Sequence, residues 1–224
     1  MTTAIVIIIL LYLIPLFAYI YLKNTIDNNK ENNKKEVSGF EVARKILDHN
    51  KLDEMYIVEK RGYLTDVYDR NNIAVKLSTT TFHDTTLYAM LMASFISSEA
   101  ILSSKDNQIS LKLTLNPLFD FITYIVYILI IVGLCAKNTT SLYLAICLLL
   151  TTIIYHLIIF IVNNRLITNS TDNLYRLKYY QAEDKHQIDL INNAIRFYNL
   201  AHIILCLFHL FDKIKEVIND SKRK

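Results

Sequence analysis

Tryptophan is absent from this 224-residue chain, and glycine and proline are scarce, at three and two residues. Those two residues are the usual interrupters of a helix, so their scarcity leaves long stretches free to run helical. The missing tryptophan, beside abundant tyrosine, isoleucine and asparagine, fits an AT-rich coding sequence rather than a function. The cysteines, Cys135, Cys147 and Cys206, all fall in apolar stretches, and none forms a Cys-x-x-Cys pair. That excludes a disulfide framework or a zinc knuckle and reads as small buried hydrophobes. Charge of one sign is also lacking. A net +3, scattered along the chain, argues against a nucleic-acid partner.

What the chain has in excess is apolar surface. Hydrophobic residues make up 53% and mean hydropathy is +0.27, high for a soluble protein. The excess sits in runs near the ~20 residues that a spanning helix needs. The first, 4–22, carries Pro15 in its middle. It lacks the basic leader and small-residue cleavage site of a secretory signal, and is expected to be an uncleaved anchor. Runs at 118–136 and 141–162 flank the polar turn Lys137-Asn138-Thr139-Thr140 and predict an antiparallel helical hairpin. A fourth run, 194–211, is interrupted by Arg196, Asn199, His202 and His209, and reads as a membrane or interfacial helix.

The expected division is therefore an anchor at 1–22, a polar linker at 23–37 and a small α+β domain at 38–117. A membrane hairpin at 118–162, a polar helical segment at 163–193 and a last helix with a basic tail at 194–224 follow. Lys23, Lys30, Lys34 and Lys35 follow the first span and no basic side chain precedes it. The excess of positive charge places 38–117 on the cytoplasmic side.

Within 38–117 the organising stretch is GYLTDVYDRNNIAVKLS followed by TTTFHDTTLYAMLMASFISSEAIL. Val67, Tyr68, Ile73, Val75 and Leu77 are strand formers around the turn residues Asp69 to Asn72, which predicts a hairpin. Leu87, Met90, Leu91, Phe95, Ile101 and Leu102 recur at helical spacing, with Asp84 or Thr85 as the expected cap. Upstream, Ser38 and Glu41 form a capping-box pattern before Val42, Ile46 and Leu47. A strand is expected over 55–59. A short apolar-alternating run, 109–115, is expected to end at Pro117.

These strings carry a resemblance. LTDVYDR, a strand ending in Leu-Ser and a long helix, together with SGFEVARKILDHNKL, resemble the YugP-type neutral zinc metallopeptidases of bacterial membranes. The resemblance implies a zincin-like α+β domain among transmembrane helices, an inner-membrane location and a zinc-dependent site. In that family the helix carries His-Glu-x-x-His, two histidines that share one face and grip zinc, with the glutamate as general base.

Here the motif is missing. No His-Glu-x-x-His occurs anywhere in the chain. Ala93 and the pair Ala100-Ile101 set the register, which puts Phe95 and Glu99 at the two histidine positions and Ile96 at the base position. The family's third ligand falls on Ile159, with Phe160 and Arg165 matching the neighbouring positions. A phenylalanine has no lone pair and an isoleucine accepts no proton, so these residues argue against peptidase chemistry. No cofactor is expected, zinc being the one implied if the family activity were retained.

Glu99 has two readings, a solvated carboxylate at the edge of the apolar stripe or a buried structural pair with Arg165. His83 cannot serve Ser97 or Ser98 as a base, since the helix between them would span roughly 22 Å. No Gly-x-Ser-x-Gly elbow is present. His156 lies deep in an apolar run and reads as an imidazole satisfied by a tyrosine or a carbonyl, although such residues are functional candidates. The expected function is that of an inactive peptidase homologue in the lipid bilayer, binding a membrane polypeptide, an active paralogue or a second copy. A peptidase with a rewired site, and a structural or assembly protein, are the alternatives.

Overall fold

The computed structural model describes residues 2–29, 36–62, 64–136, 138–180 and 184–204. Residues 30–35 of the expected linker, Tyr63, Lys137, Cys206, His209 and the basic tail lie outside the described residues, as does the side chain of His202, while 23–28 of that linker belong to the first helix. The described chain is mainly helical with one small sheet. Its elements are α1 (Thr2–Asn28), α2 (Gly39–His49), β1 (Tyr56–Lys60), β2 (Val67–Asp69), β3 (Ala74–Ser78) and α3 (Thr79–His83). They continue with α4 (Leu87–Leu102), α5 (Asn107–Cys135), α6 (Thr139–Arg176) and α7 (Lys185–Ile204). The described residues fall into two compact units, one drawn from within 2–20, 114–161 and 197–204, the other from within 21–113 and 162–196.

The second unit holds the sheet, in the order β1-β3-β2. β2 and β3 form the expected antiparallel hairpin, and β1 lies parallel to β3 with Ile57 opposite Val75. Alternation sends Val75, Leu77 and Tyr68 inward, while Tyr56, Val58 and Val67 stay exposed. The hairpin turn is held by Asp69. Its carboxylate accepts from the amides of Asn71 and Asn72 and from Lys76 Nζ at 2.6 Å.

The capping box predicted for α2 is formed. Ser38 Oγ accepts from the Glu41 amide at 3.3 Å, and Glu41 Oε2 accepts from the Ser38 amide at 2.7 Å. Arg44 then clamps the exit loop, donating to the carbonyls of Leu52 and Met55 and to Asp48. Gly39 is needed at the start of α2, because a Cβ there would lie 2.0 Å from the Thr81 carbonyl oxygen.

Three expectations are corrected. The long helix is not capped by Asp84 or Thr85. A separate short helix, α3, comes first, and Thr86 caps α4 by accepting from the Ala89 amide. Asp84 is held extended, with its carbonyl accepting from the Gly39 amide. The run 109–115 does not end at Pro117; it is helical, and Pro117 lies inside α5. Asp106 starts that helix by accepting from the Gln108 amide at 2.8 Å, and Ile109 and Lys112 then turn inward at helical spacing. Nor does the hairpin's second helix stop at 162. α6 runs on to Arg176, since no glycine or proline follows and Leu166, Ile167, Ser170 and Leu174 give it a buried face.

In the first unit α5 and α6 supply most of the described surface, and it is apolar. Phe121, Ile128, Ile154 and Ile161 are exposed. Among the described residues two helices, α5 and α6, are long and apolar enough to cross a membrane. The side of α5 turned away from solvent carries Asn116, Phe119, Asp120 and Thr123. Tyr155 of α6 donates to Asn116 Oδ1 and stacks on Phe119 at 3.7 Å between ring centroids. His156 meets the Tyr155 ring edge-on at 5.4 Å.

Candidate functional site

α4 is the helix on which the sequence places the chemistry. It is apolar almost all round, and the structure buries it accordingly. Every side chain from Leu87 to Ile101 is buried except Met92 and Phe95, which are half-buried. Phe95 packs against the core formed by Ile109, Val162 and Leu166. Ile96 is buried among the second unit's interior side chains. Small hydroxyls fasten α4 to the extension of α6. Ser94 Oγ donates to the Ser170 carbonyl at 2.9 Å, and Asn173 Nδ2 donates to Ser98 Oγ at 3.1 Å.

Glu99 is neither solvated nor paired with Arg165. Its Oε1 accepts from Lys112 Nζ of α5 at 2.6 Å, with the two side chains 5% and 8% exposed. Lys112 Nζ also donates to Asn163 Oδ1 of α6 at 2.7 Å and lies 5.9 Å from the centre of the Phe95 ring. Arg165 faces elsewhere on α6, donating to Asp106 Oδ2 at 2.7 Å and to Gln108 Oε1 at 3.0 Å. The exchange has a simple cause. Lys112 is buried only because α5 begins at Asn107 and turns it inward, and the Asp106 cap leaves one carboxylate oxygen for the exposed Arg165.

The other candidates do not join this cluster. His83 ends α3 and pairs with Glu59 at 3.4 Å on the surface. Hydrogen bonding from Thr79, and then from His83, holds the Glu59 carboxyl below its ordinary range. Ser97 Oγ is buried and makes no hydrogen bond among the described residues. Ile159 belongs to the other unit, four residues before Asn163 along α6. Sequence reasoning missed Lys112 and Asn163. The signal was a lone lysine inside the apolar run QISLKLTL, and the first polar residue after the run that ends at Val162.

A second polar cluster lies at the base of the hairpin. Asp66 Oδ1 accepts from the Ser78 amide at 2.7 Å, and its other oxygen is buried without a hydrogen-bond partner among the described residues. Burial pushes the Asp66 carboxyl up, only partly offset by hydrogen bonds from Ser78 and Thr81.

The described chain is mainly helical, with a small mixed sheet followed by the buried α4 and, among the described residues, two helices of membrane-spanning length. A family model described as "Putative neutral zinc metallopeptidase" matches residues 4–214, and the chain belongs to that family. No curated protein and no solved structure matches it significantly.

The family implies zinc, and the residues found here do not fit it. Zinc in proteins takes nitrogen, thiolate or carboxylate ligands. Phe95 offers a ring face, Ile96 a saturated side chain, and the one carboxylate, on Glu99, is already bound to an ammonium 2.6 Å away. A dication placed there would meet a full positive charge in a buried setting. Among the described residues no group of three or more His, Cys, Asp or Glu side chains is placed to hold a metal.

Proposed function

We propose that this chain is a non-catalytic member of the zinc metallopeptidase family, embedded in the bacterial inner membrane, that binds a membrane polypeptide or partner protein. The observation that carries the reading is the closed cluster Glu99–Lys112–Asn163 beside Phe95 and Ile96. Hydrolysis needs a polarised water and a base to take its proton. Ile96 accepts no proton, and Glu99 is committed to Lys112. The apolar surfaces of α5 and α6 support the membrane setting, because exposed aliphatic and aromatic side chains at this density suit lipid better than water. The lysines after the first apolar run support a cytoplasmic 38–117 region.

The test is direct. The full-length protein, purified in detergent, is expected to carry far less than one zinc per chain by elemental analysis and to leave a broad peptide library uncut. Near-stoichiometric zinc together with chelator-sensitive cleavage would sink the proposal. Crosslinking in the native membrane followed by mass spectrometry then identifies the polypeptide it contacts.

A further inference from the structure

We infer that Lys112 is a built-in replacement for the metal ion, its ammonium serving as the cation that ties α4 to α6. The inference rests on the reading above for the register of Phe95, Ile96 and Glu99, and adds the group that took over. Three features receive the ammonium. They are the Glu99 carboxylate at 2.6 Å, the Asn163 side-chain carbonyl at 2.7 Å and the Phe95 ring at 5.9 Å. A carboxylate, an amide oxygen and an aromatic face are the groups that bind a primary ammonium well.

The placement of these receivers is what points to replacement rather than to an ordinary ion pair. Phe95 and Glu99 stand at the family's first two ligand positions. Asn163 lies one helical turn beyond Ile159, the third. The positions that would have held a dication now hold, or neighbour, the receivers of one positive charge. A glutamate placed at the second histidine position with no cation beside it would be a buried charge with nothing to neutralise it, which is strongly destabilising in a protein interior. Lys112 removes that cost from within the chain. The cluster is neutral as a whole, which a mostly apolar interior tolerates.

The replacement makes a specific statement about size and chemistry. Truncating Lys112 leaves a cavity shaped for a short alkylammonium, with a hydrogen-bond acceptor on each of α4 and α6 and a ring beside them. The full-length Lys112→Ala variant in detergent is expected to melt roughly 10 °C below the native protein, since a buried carboxylate loses its partner. n-Propylammonium is expected to raise that midpoint by several degrees, and tetramethylammonium, which has no N–H to donate, to leave it unchanged at equal ionic strength. An equal response to both salts, or none to either, overturns the inference.

A second pair of variants covers a Lys112→Ala protein that does not fold. Glu99→Gln with Lys112→Met removes both charges, and is expected to restore a cooperative transition that either single change weakens or abolishes. If the double variant is no more stable than the worse single one, the inference fails. The native protein's zinc content separates the two levels. Stoichiometric zinc in the unaltered chain defeats the non-catalytic reading itself. A zinc-free chain whose Lys112→Met variant melts like the native protein defeats only the ammonium replacement.

Discussion

Asp66, half-buried with one carboxylate oxygen sealed from solvent, and the fully buried Glu99 are treated by the chain in opposite ways. Glu99 is matched by a cation. Asp66 is met among the described residues by the Ser78 amide and by the hydroxyls of Thr81 and Ser78, with no cation, and burial raises its folded value above the ordinary carboxylate range. The sign of its effect on stability follows. Below about pH 3.9 the acid is protonated whether folded or not, and costs nothing. As pH rises from there towards the raised folded value, stability is lost, and the loss is complete above it. Asp66→Asn keeps the acceptor for the Ser78 amide, so it should raise the melting midpoint at pH 7, with the difference closing towards pH 4. A gap independent of pH would show that the carboxyl is not the cause. At the other site, Glu99→Gln leaves a buried ammonium without its carboxylate, and is expected to cost about 3–5 kcal/mol in denaturant titration. The swap Glu99→Arg with Arg165→Glu should recover nothing. Each residue has its own partner, so the double change is expected to equal the sum of the singles within about 0.5 kcal/mol.

Elements here are joined by backbone contacts that side chains do not reveal. The start of α2 rests against α3 through Gly39, whose amide donates to the Asp84 carbonyl at 3.2 Å. Gly39→Ala would place a methyl 2.0 Å from the Thr81 oxygen, a backbone atom that cannot swing aside. The expected loss is about 3 kcal/mol, read from a urea midpoint that moves without a change in slope. α4 depends on Thr86 in a different way. Its hydroxyl satisfies one orphan amide, so Thr86→Ala should cost only about 1 kcal/mol in the same titration. The two together rank what holds this region: a close backbone approach matters more than a cap.

At the scale of the whole molecule the prediction concerns sidedness. If the lysines after the first apolar run keep residues 38–117 in the cytoplasm, a cysteine introduced at Asn33 in a cysteine-free background stays unlabelled by an impermeant thiol reagent in intact cells. It becomes labelled once the membrane is opened. Labelling in intact cells would reverse the assignment. The same background is needed because Cys147, which the sequence reads as a buried hydrophobe, is instead exposed on α6 and would itself react if it faced water.

Periodicity and cap chemistry are local, and the sequence by itself determined what depends on them: the α2 capping box, the β2–β3 hairpin, a long apolar α4, helices of membrane length and the family. The absence of His-Glu-x-x-His is likewise a fact of the sequence. What only the tertiary structure decided is which charges meet. Alternating apolar residues at 109–115 suit a strand as well as a helix, and only the Asp106 cap settles the choice and turns Lys112 inward. The sequence offered Arg165 as the partner of Glu99 because both lie near the family's ligand positions. The fold gave Glu99 to Lys112, 13 residues away in the chain, because the packing of helices brings that cation within 3 Å of the buried carboxylate and so offsets the cost of burying it. Pairing of that kind depends on the rotation of α5 against α4, and no spacing within a single helix encodes it.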